Sequence, residues 1–174
     1  MVEGITAVGD KYQTGEFFLP DLAMGAEAFK AGIKILEPEL FKLRKERESV
    51  GVIVLGTVAG DIHSLGKDIV ATLLTAGGFE VHDVGVDVPI EEFTESVRTF
   101  KSGILGMSAL MSTTIGRQRD VTKALKVEGL RGKVKVLIGG AATSDLWRKE
   151  IEADGWAATA VEGVKKAKQL LGVE

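Results

Sequence analysis

The chain has 174 residues, 45% of them hydrophobic and 27% charged, so its length predicts one globular domain with room for a small appendage. Its 22 Lys and Arg against 25 Asp and Glu give a net charge of −3, which excludes the basic field that nonspecific nucleic-acid binding needs. The chain has no cysteine, so disulfides, thiolate zinc sites and iron–sulfur clusters are excluded, and an imidazole-bound metal must use His63 or His82.

The sequence shows no feature of a membrane or secreted protein. It lacks a run of about 20 apolar residues, and its N-terminus has no basic segment followed by an apolar one. We therefore expect a cytoplasmic protein with neither a membrane nor a nucleic acid as partner.

The first 48 residues have helical periodicity. A short helix is expected around Val2 to Tyr12, and a second is expected to start after Pro20 and Asp21. The charged stretch 42–48 predicts a solvated linker, so we divide the chain into 1–48 and a domain over 49–174. One stripe of the second helix is apolar at helical spacing: Leu22, Ala26, Phe29, Ile33 and Leu36.

From Val52 onward, short β-branched runs alternate with amphipathic segments. Continuous apolar strands that alternate with helices indicate a parallel sheet covered on both faces, so we predict a five-stranded doubly wound α/β fold, Rossmann-like or flavodoxin-like. The expected strands are 52–58, 80–86, 103–108, 133–138 and 156–158, and the expected helices are 67–76, 90–100, 114–127, 144–153 and 160–171.

Glycine is unusually frequent, since 22 of the 174 residues are glycine, which is roughly twice the background of about 7%. Ligands of open α/β sheets bind beyond the carboxyl ends of the strands, and small residues collect there in this sequence. Two explanations remain open: a long, narrow ligand lying against backbone, or tight strand-to-helix turns. The small residues in question are Gly56, Gly60, Ser108, Ala109, Gly139, Gly140, Ala141 and Ala142.

The loop after the first strand, Gly60 to Lys67, contains the most informative spacing. It is not a phosphate-binding P-loop, because Asp61 and Asp68 stand where that motif needs glycine and a hydroxyl. Asp61 lies two residues before His63, so its carboxylate can bond one imidazole nitrogen and leave the other free. His63 would then be either the ligand of a metal already held by a macrocycle or a general base.

Three separated motifs resemble the cobalamin-binding signature: Asp61-x-His63-x-x-Gly66, Ser108-x-Leu110 and Gly139-Gly140. The chain is similar to the corrinoid proteins of methyltransferase systems and to the cobalamin-binding region of cobalamin-dependent methionine synthase. Residues 8–10 and 18–20 resemble the helical cap of that family, and residues 84–89 resemble its second-strand exit. Because the family's cap has four helices, the resemblance implies a short, truncated cap here.

The resemblance implies cobalamin, as methylcobalamin or cob(I)alamin, with His63 as the lower axial ligand of cobalt. Asp61 and Thr114 would extend His63 into a relay, and Tyr12, Phe18 and Leu22 would cover the upper corrin face. It implies no catalytic residue, and His82 remains an ordinary strand residue. The implied cofactor-binding residues are Gly60, Asp61, Ile62, His63, Ser64, Leu65, Gly66, Ser108, Leu110, Ser112, Gly139, Gly140 and Trp156.

The function implied by the resemblance is that of a methyl carrier that is not catalytic alone. Its expected partners are a methyl-donor methyltransferase, a methyl-acceptor methyltransferase and a reductive activator, with a homo-oligomer formed through the exposed cap helix. The alternatives are a cobalamin-dependent sensor or regulator and the small subunit of an adenosylcobalamin mutase.

Overall fold

The computed structural model describes residues 2–45 and 49–173. The chain divides into two compact units, Met1–Glu46 and Arg47–Glu174. Among the described residues, no helix combines the length and the apolar character that crossing a membrane requires.

The first unit consists of two helices, α1 (Val2–Gln13) and α2 (Leu19–Lys45). Ile5 of α1 and Phe29 of α2 are buried. The helices approach closely where Gly25 faces Val8, because a Cβ on Gly25 would lie 2.9 Å from Val8 Cγ1. A small residue at this position therefore permits the packing of the pair.

The boundaries of α2 differ from the prediction at both ends. The helix begins before Pro20, and proline is tolerated in a first turn, where no intrahelical partner is lost. Asp21 supports this start, since its carboxylate accepts the Phe18 N–H at 2.9 Å. The linker predicted over 42–48 is wrong for residues 42–45, which continue α2 because Lys, Leu and Arg are good helix formers. Residues 46–48 lie outside the described residues.

The second unit confirms the predicted fold class. Its five strands form one parallel sheet in the order β2-β1-β3-β4-β5. The strands are β1 (Val52–Thr57), β2 (Glu80–Asp83), β3 (Ile104–Ser108), β4 (Lys135–Gly139) and β5 (Gly155–Trp156). The helices are α3 (Leu65–Ala76), α4 (Ile90–Thr99), α5 (Gly116–Val127), α6 (Asp145–Glu150) and α7 (Ala160–Leu171).

All five strands differ from the prediction at one end or both, β1 and β3 by a single residue, and β4 begins at Lys135 rather than at residue 133. β2 ends at Asp83 rather than Val86, because Gly85 has a φ of +91° and turns the chain out of the strand. β5 begins at Gly155 and contains only two residues, so the predicted 156–158 segment is mostly loop. The loop after β2 is consequently free to contact the neighbouring loop after β1.

Apolar side chains cover both faces of the sheet, which explains why the central strands have continuous apolar sequences. On one face, Val54, Leu105 and Val136 pack with Phe93 and Leu125. On the other face, the core contains Ile53, Leu74, Phe79, Ile104, Leu137 and Ala167.

β1 and β3 lie side by side in the sheet. From β1 the chain adds β2 on one side, and it then adds β3, β4 and β5 on the other side. Thr57 pairs with Ser108, and Ser108 pairs with Gly139, so the carboxyl ends of β1, β3 and β4 are in line. The loops that leave these three ends meet at one edge, where doubly wound folds bind ligands.

Candidate functional site

The centre of the site is the carboxylate of Asp61, which is 0% exposed. Its Oδ1 accepts hydrogen bonds from His63 Nδ1 at 2.6 Å and from the His63 backbone N–H at 3.1 Å. Its Oδ2 accepts from the Leu110 N–H at 2.7 Å and from Thr114 Oγ1 at 3.1 Å. The Asp61 carboxylate therefore joins the loop after β1 to the loop after β3.

These contacts decide the charge of Asp61. Burial alone would raise the pKa of its carboxyl, but the hydrogen bonds from His63, Leu110 and Thr114 outweigh burial and lower the pKa from 3.8 to about 2. Asp61 is therefore ionised at neutral pH. An ionised carboxylate can only accept hydrogen bonds, so the proton of the Asp61–His63 pair lies on Nδ1.

His63 projects from the loop with 49% of its side chain exposed. Because Nδ1 donates to Asp61, the lone pair of the neutral ring is on Nε2, which has no hydrogen-bond partner among the described residues. This is the arrangement of metal-ligating histidines, whose second nitrogen is held by a carboxylate. His63 thus presents one oriented nitrogen ligand.

The rest of the loop is fixed by its neighbours. Thr57, fully buried at the end of β1, donates its hydroxyl to the His63 carbonyl at 2.9 Å. Asp87, in the loop after β2, accepts the Gly60 N–H at 2.6 Å. The imidazole is therefore attached to a backbone segment held from two sides.

A wall of backbone follows the ends of β3 and β4. Gly140 has a φ of +108°, and a Cβ there would lie 2.1 Å from the Ala109 carbonyl oxygen. A Cβ on Gly139 would be only in ordinary contact, 3.5 Å from the Ala157 oxygen. The buried Gln118 of α5 supports this wall, since its amide donates to the carbonyls of Met107 at 3.0 Å and Gly139 at 3.3 Å.

The remaining expected cofactor contacts lie around this edge. Ile62 is 74% exposed and Leu110 is 41% exposed, so both present apolar surface next to His63. Trp156 is half-buried on β5, and its Nε1 donates to Thr143 Oγ1 at 2.9 Å. Ser64 precedes α3, Leu65 and Gly66 form its first turn, Ser108 ends β3, and Ser112 is exposed in the turn before α5.

The three expected cap residues belong to the first unit. Phe18 is 71% exposed and Tyr12 is also exposed, whereas the side chain of Leu22 lies outside the described residues. Their role over a corrin stays a prediction.

The donor set suits a metal held by a macrocycle. Among residues 2–45 and 49–173, no group of three or more His, Asp or Glu side chains could hold a bare ion. One half-exposed imidazole, oriented by a buried carboxylate, fits a metal whose other ligands come from a corrin. Cobalamin also needs a surface free of side chains for its long tail, and Gly139 and Gly140 leave such a surface beside His63.

Sequence reasoning did not single out several residues that shape this edge. Thr57 and Asp87 hold the His63 loop, and Gln118 holds the end of β4. The buried ammonium of Lys67 pairs with the carboxylates of Asp68 and Asp83. Only Asp87 had a local signal, because it lies in the 84–89 segment that resembled the family's second-strand exit.

Known proteins are similar to this chain in both sequence and structure. A family model described as a B12 binding domain matches residues 51–165, and a second family model with the same description matches residues 1–37. Dimethylamine corrinoid protein 1 of Methanosarcina mazei is 47% identical over 171 residues, which cover 98% of this chain and 79% of that protein.

Two solved structures extend the comparison. The monomethylamine corrinoid protein of Methanosarcina barkeri is 39% identical, with a TM-score of 0.79 over 96% of this chain and 78% of that chain. A methanol:cobalamin methyltransferase complex from Methanosarcina barkeri contains a chain that is 30% identical, with a TM-score of 0.68 over 97% of this chain and 63% of that chain. From these matches, the chain belongs to the cobalamin-binding corrinoid proteins of methyltransferase systems.

Proposed function

We propose that this chain carries a methyl group between two methyltransferases, with His63 Nε2 as the lower ligand of cobalt. The observation that carries the proposal is the Asp61–His63 pair, because the buried carboxylate fixes the tautomer and leaves Nε2 exposed. When bound, cobalamin supplies a cobalt centre that accepts a methyl group and gives it up again. The chain's own residues hold and orient that centre.

Each part of the edge has a separate task in this proposal. Asp61 keeps the imidazole oriented and makes Nε2 a more basic ligand for the metal. Thr114 in turn holds the Asp61 carboxylate in place through its hydroxyl. The backbone surface of Gly139 and Gly140, next to Ser108, receives the cofactor's tail. Ile62 and Leu110 provide apolar contact beside His63, so water is displaced from the ligand side.

The relatives support a proposal for the methyl donor and the first partner. Dimethylamine and monomethylamine corrinoid proteins are 47% and 39% identical to this chain, whereas the chain in the methanol complex is 30% identical. This order favours a methylated amine as the methyl donor, with an amine-specific methyltransferase as the first partner. A second methyltransferase as acceptor, a reductive activator, a homo-oligomer and a cytoplasmic location stay predictions.

The axial-ligand assignment is tested with the two histidines of the chain. The full chain is loaded with methylcobalamin, and absorption spectra are compared for wild type, His63→Ala and His82→Ala. Wild type and His82→Ala should show the spectrum of histidine-ligated cobalt, and His63→Ala should lose it. An unchanged spectrum in His63→Ala contradicts the assignment.

The carrier role is tested by methyl transfer. The reduced, cobalamin-loaded chain is mixed separately with a monomethylamine, a dimethylamine or a methanol methyltransferase, each with its own substrate, and methylation of the chain is followed spectroscopically. We expect methylation from one amine and little from methanol. Methylation from methanol alone contradicts the amine assignment.

A further inference from the structure

Asp87, in the loop after β2, makes two hydrogen bonds to the His63 loop. Its carboxylate Oδ1 accepts the Gly60 N–H at 2.6 Å, and its own N–H donates to the Asp61 carbonyl at 2.9 Å. The two bonds hold the backbone of Gly60 and of Asp61, the residue whose carboxylate orients His63. Asp87 therefore acts on the loop without contacting the imidazole.

The backbone of Asp87 is in an uncommon conformation. Its φ is +54°, in the left-handed region that non-glycine residues seldom occupy. The flanking bonds maintain this conformation, since Thr57 N–H donates to the Gly85 carbonyl and Val88 N–H donates to the Thr57 carbonyl, each at 3.0 Å. This conformation allows both the side chain and the N–H of Asp87 to reach Gly60 and Asp61. Strain maintained in this way is typical of residues that hold a functional segment.

Asp87 differs from the other residues that hold the loop. Asp61 and Thr57 are fully buried, so replacing either would disturb the core. Asp87 is exposed, and its hydrogen bonds are with the backbone of the loop. Its removal should leave the fold intact and change only how firmly the loop is held.

We propose that Asp87 is a positioning residue that holds the Gly60–Asp61 backbone so that the His63 imidazole stays at the distance and angle that cobalt ligation needs. This inference rests on the proposed function, because it takes His63 as the ligand. Without Asp87, the backbone before His63 gains freedom, and ligation must then restrict that freedom again.

Four variants separate the hydrogen bond from strain and charge. Asp87→Gly removes the acceptor and relieves the backbone, whereas Asp87→Asn keeps an acceptor oxygen and tolerates the left-handed conformation. Glu92→Gln, an exposed carboxylate of α4, controls for the loss of one negative charge. His63→Ala marks the complete loss of ligation.

Two measurements are made on the full chain. In the cofactor-free protein, hydrogen exchange at the Gly60 amide should be slow in wild type and Asp87→Asn and roughly tenfold faster in Asp87→Gly. In the methylcobalamin-loaded protein, Asp87→Gly should show roughly a tenfold higher Kd and a mixture of histidine-ligated and unligated spectra. Asp87→Asn and Glu92→Gln should resemble wild type.

The proposal is overturned by a wild-type Kd and spectrum in Asp87→Gly, or by an Asp87→Asn variant that behaves like Asp87→Gly. Fast exchange at Gly60 in the wild type would also overturn it, whether or not the variants fold. A failure of the proposed function looks different, since wild type and His63→Ala would then have the same spectrum.

Discussion

The chain contains two histidines, and each is bonded to a carboxylate two residues earlier. His63 meets Asp61 at 2.6 Å in the loop after β1, and His82 meets Glu80 at 2.8 Å on strand β2. The first pair bonds through Nδ1 and the second through Nε2. His82 is also stacked on Phe100, with ring centroids 3.7 Å apart.

The two pairs differ in what surrounds the carboxylate. Asp61 is fully buried and accepts further hydrogen bonds from Leu110 and Thr114, whereas 32% of the Glu80 side chain is exposed. A His–carboxylate contact therefore does not by itself make a ligand site. The site arises where the carboxylate is fully buried and the imidazole bonded to it is half-exposed at the ligand-binding edge of the sheet.

The largest difference should appear when each carboxylate is removed. Asp61→Ala leaves the Leu110 N–H and the His63 Nδ1–H without their acceptor, so we expect a loss of about 3 kcal/mol in the free energy of unfolding. Glu80→Ala should cost less than about 1 kcal/mol, because a partly solvent-accessible side-chain hydrogen bond contributes little. Urea unfolding of the cofactor-free proteins measures both values. Equal losses would remove the distinction between the pairs.

The pH dependence of stability isolates the charge of Asp61. Its pKa is lowered to about 2 in the folded protein, so its stabilising contribution is present above its ordinary pKa of 3.8 and is lost as pH falls through about 2. The loss amounts to about 2 kcal/mol. Urea unfolding of wild type and Asp61→Asn between pH 5 and about 2 should show this fall only in the wild type. Parallel curves would mean that the Asp61 pKa is not lowered.

The hydroxyl of Thr114 should have a smaller effect. Thr114→Val keeps the shape of the side chain and removes one donor to Asp61, so we expect a loss of about 1 kcal/mol in unfolding free energy. Thr114→Ser keeps the donor and serves as the control. If Thr114→Val and Thr114→Ser unfold at the same urea concentration, the hydroxyl adds nothing to the Asp61 network.

The smallest effect is expected at the second pair. Phe100→Ala removes the ring stacked on His82, and the stacking should contribute about 0.5 kcal/mol to the free energy of unfolding beyond the loss of buried apolar area. The Kd for methylcobalamin should not change, and titration with methylcobalamin tests this. A weakened Kd in Phe100→Ala would mean that β2 and its histidine contribute to the ligand site.

The sequence predicts the fold well because the sheet is parallel and buried on both faces. Strands such as β1 and β3 are then continuous apolar runs, which local patterns identify. The end of α2 is harder to predict, because three of the four residues 42–45 are basic, which suits both a linker and a solvated helix. Local sequence does not distinguish these two states.

The site was predictable where its chemistry is local. Asp61 and His63 are two residues apart, so their contact follows from spacing. Thr57 and Asp87 were missed as supports, since Asp87 contacts Gly60 across 27 positions of sequence and only the neighbouring strand brings it there. Gln118 was missed for the same reason, because an α5 side chain reaches Gly139 across 21 positions.

The two adjacent glycines at the end of β4 answer to different requirements. Gly140 cannot become alanine even in the empty protein, since its Cβ would overlap the Ala109 carbonyl. Gly139 has room for a methyl group, because its nearest neighbour would be 3.5 Å away. The packing of the folded chain therefore requires glycine at position 140 but not at position 139. A Gly139→Ala chain should fold normally, so the added methyl group should reduce only the affinity for a ligand that lies against this backbone surface.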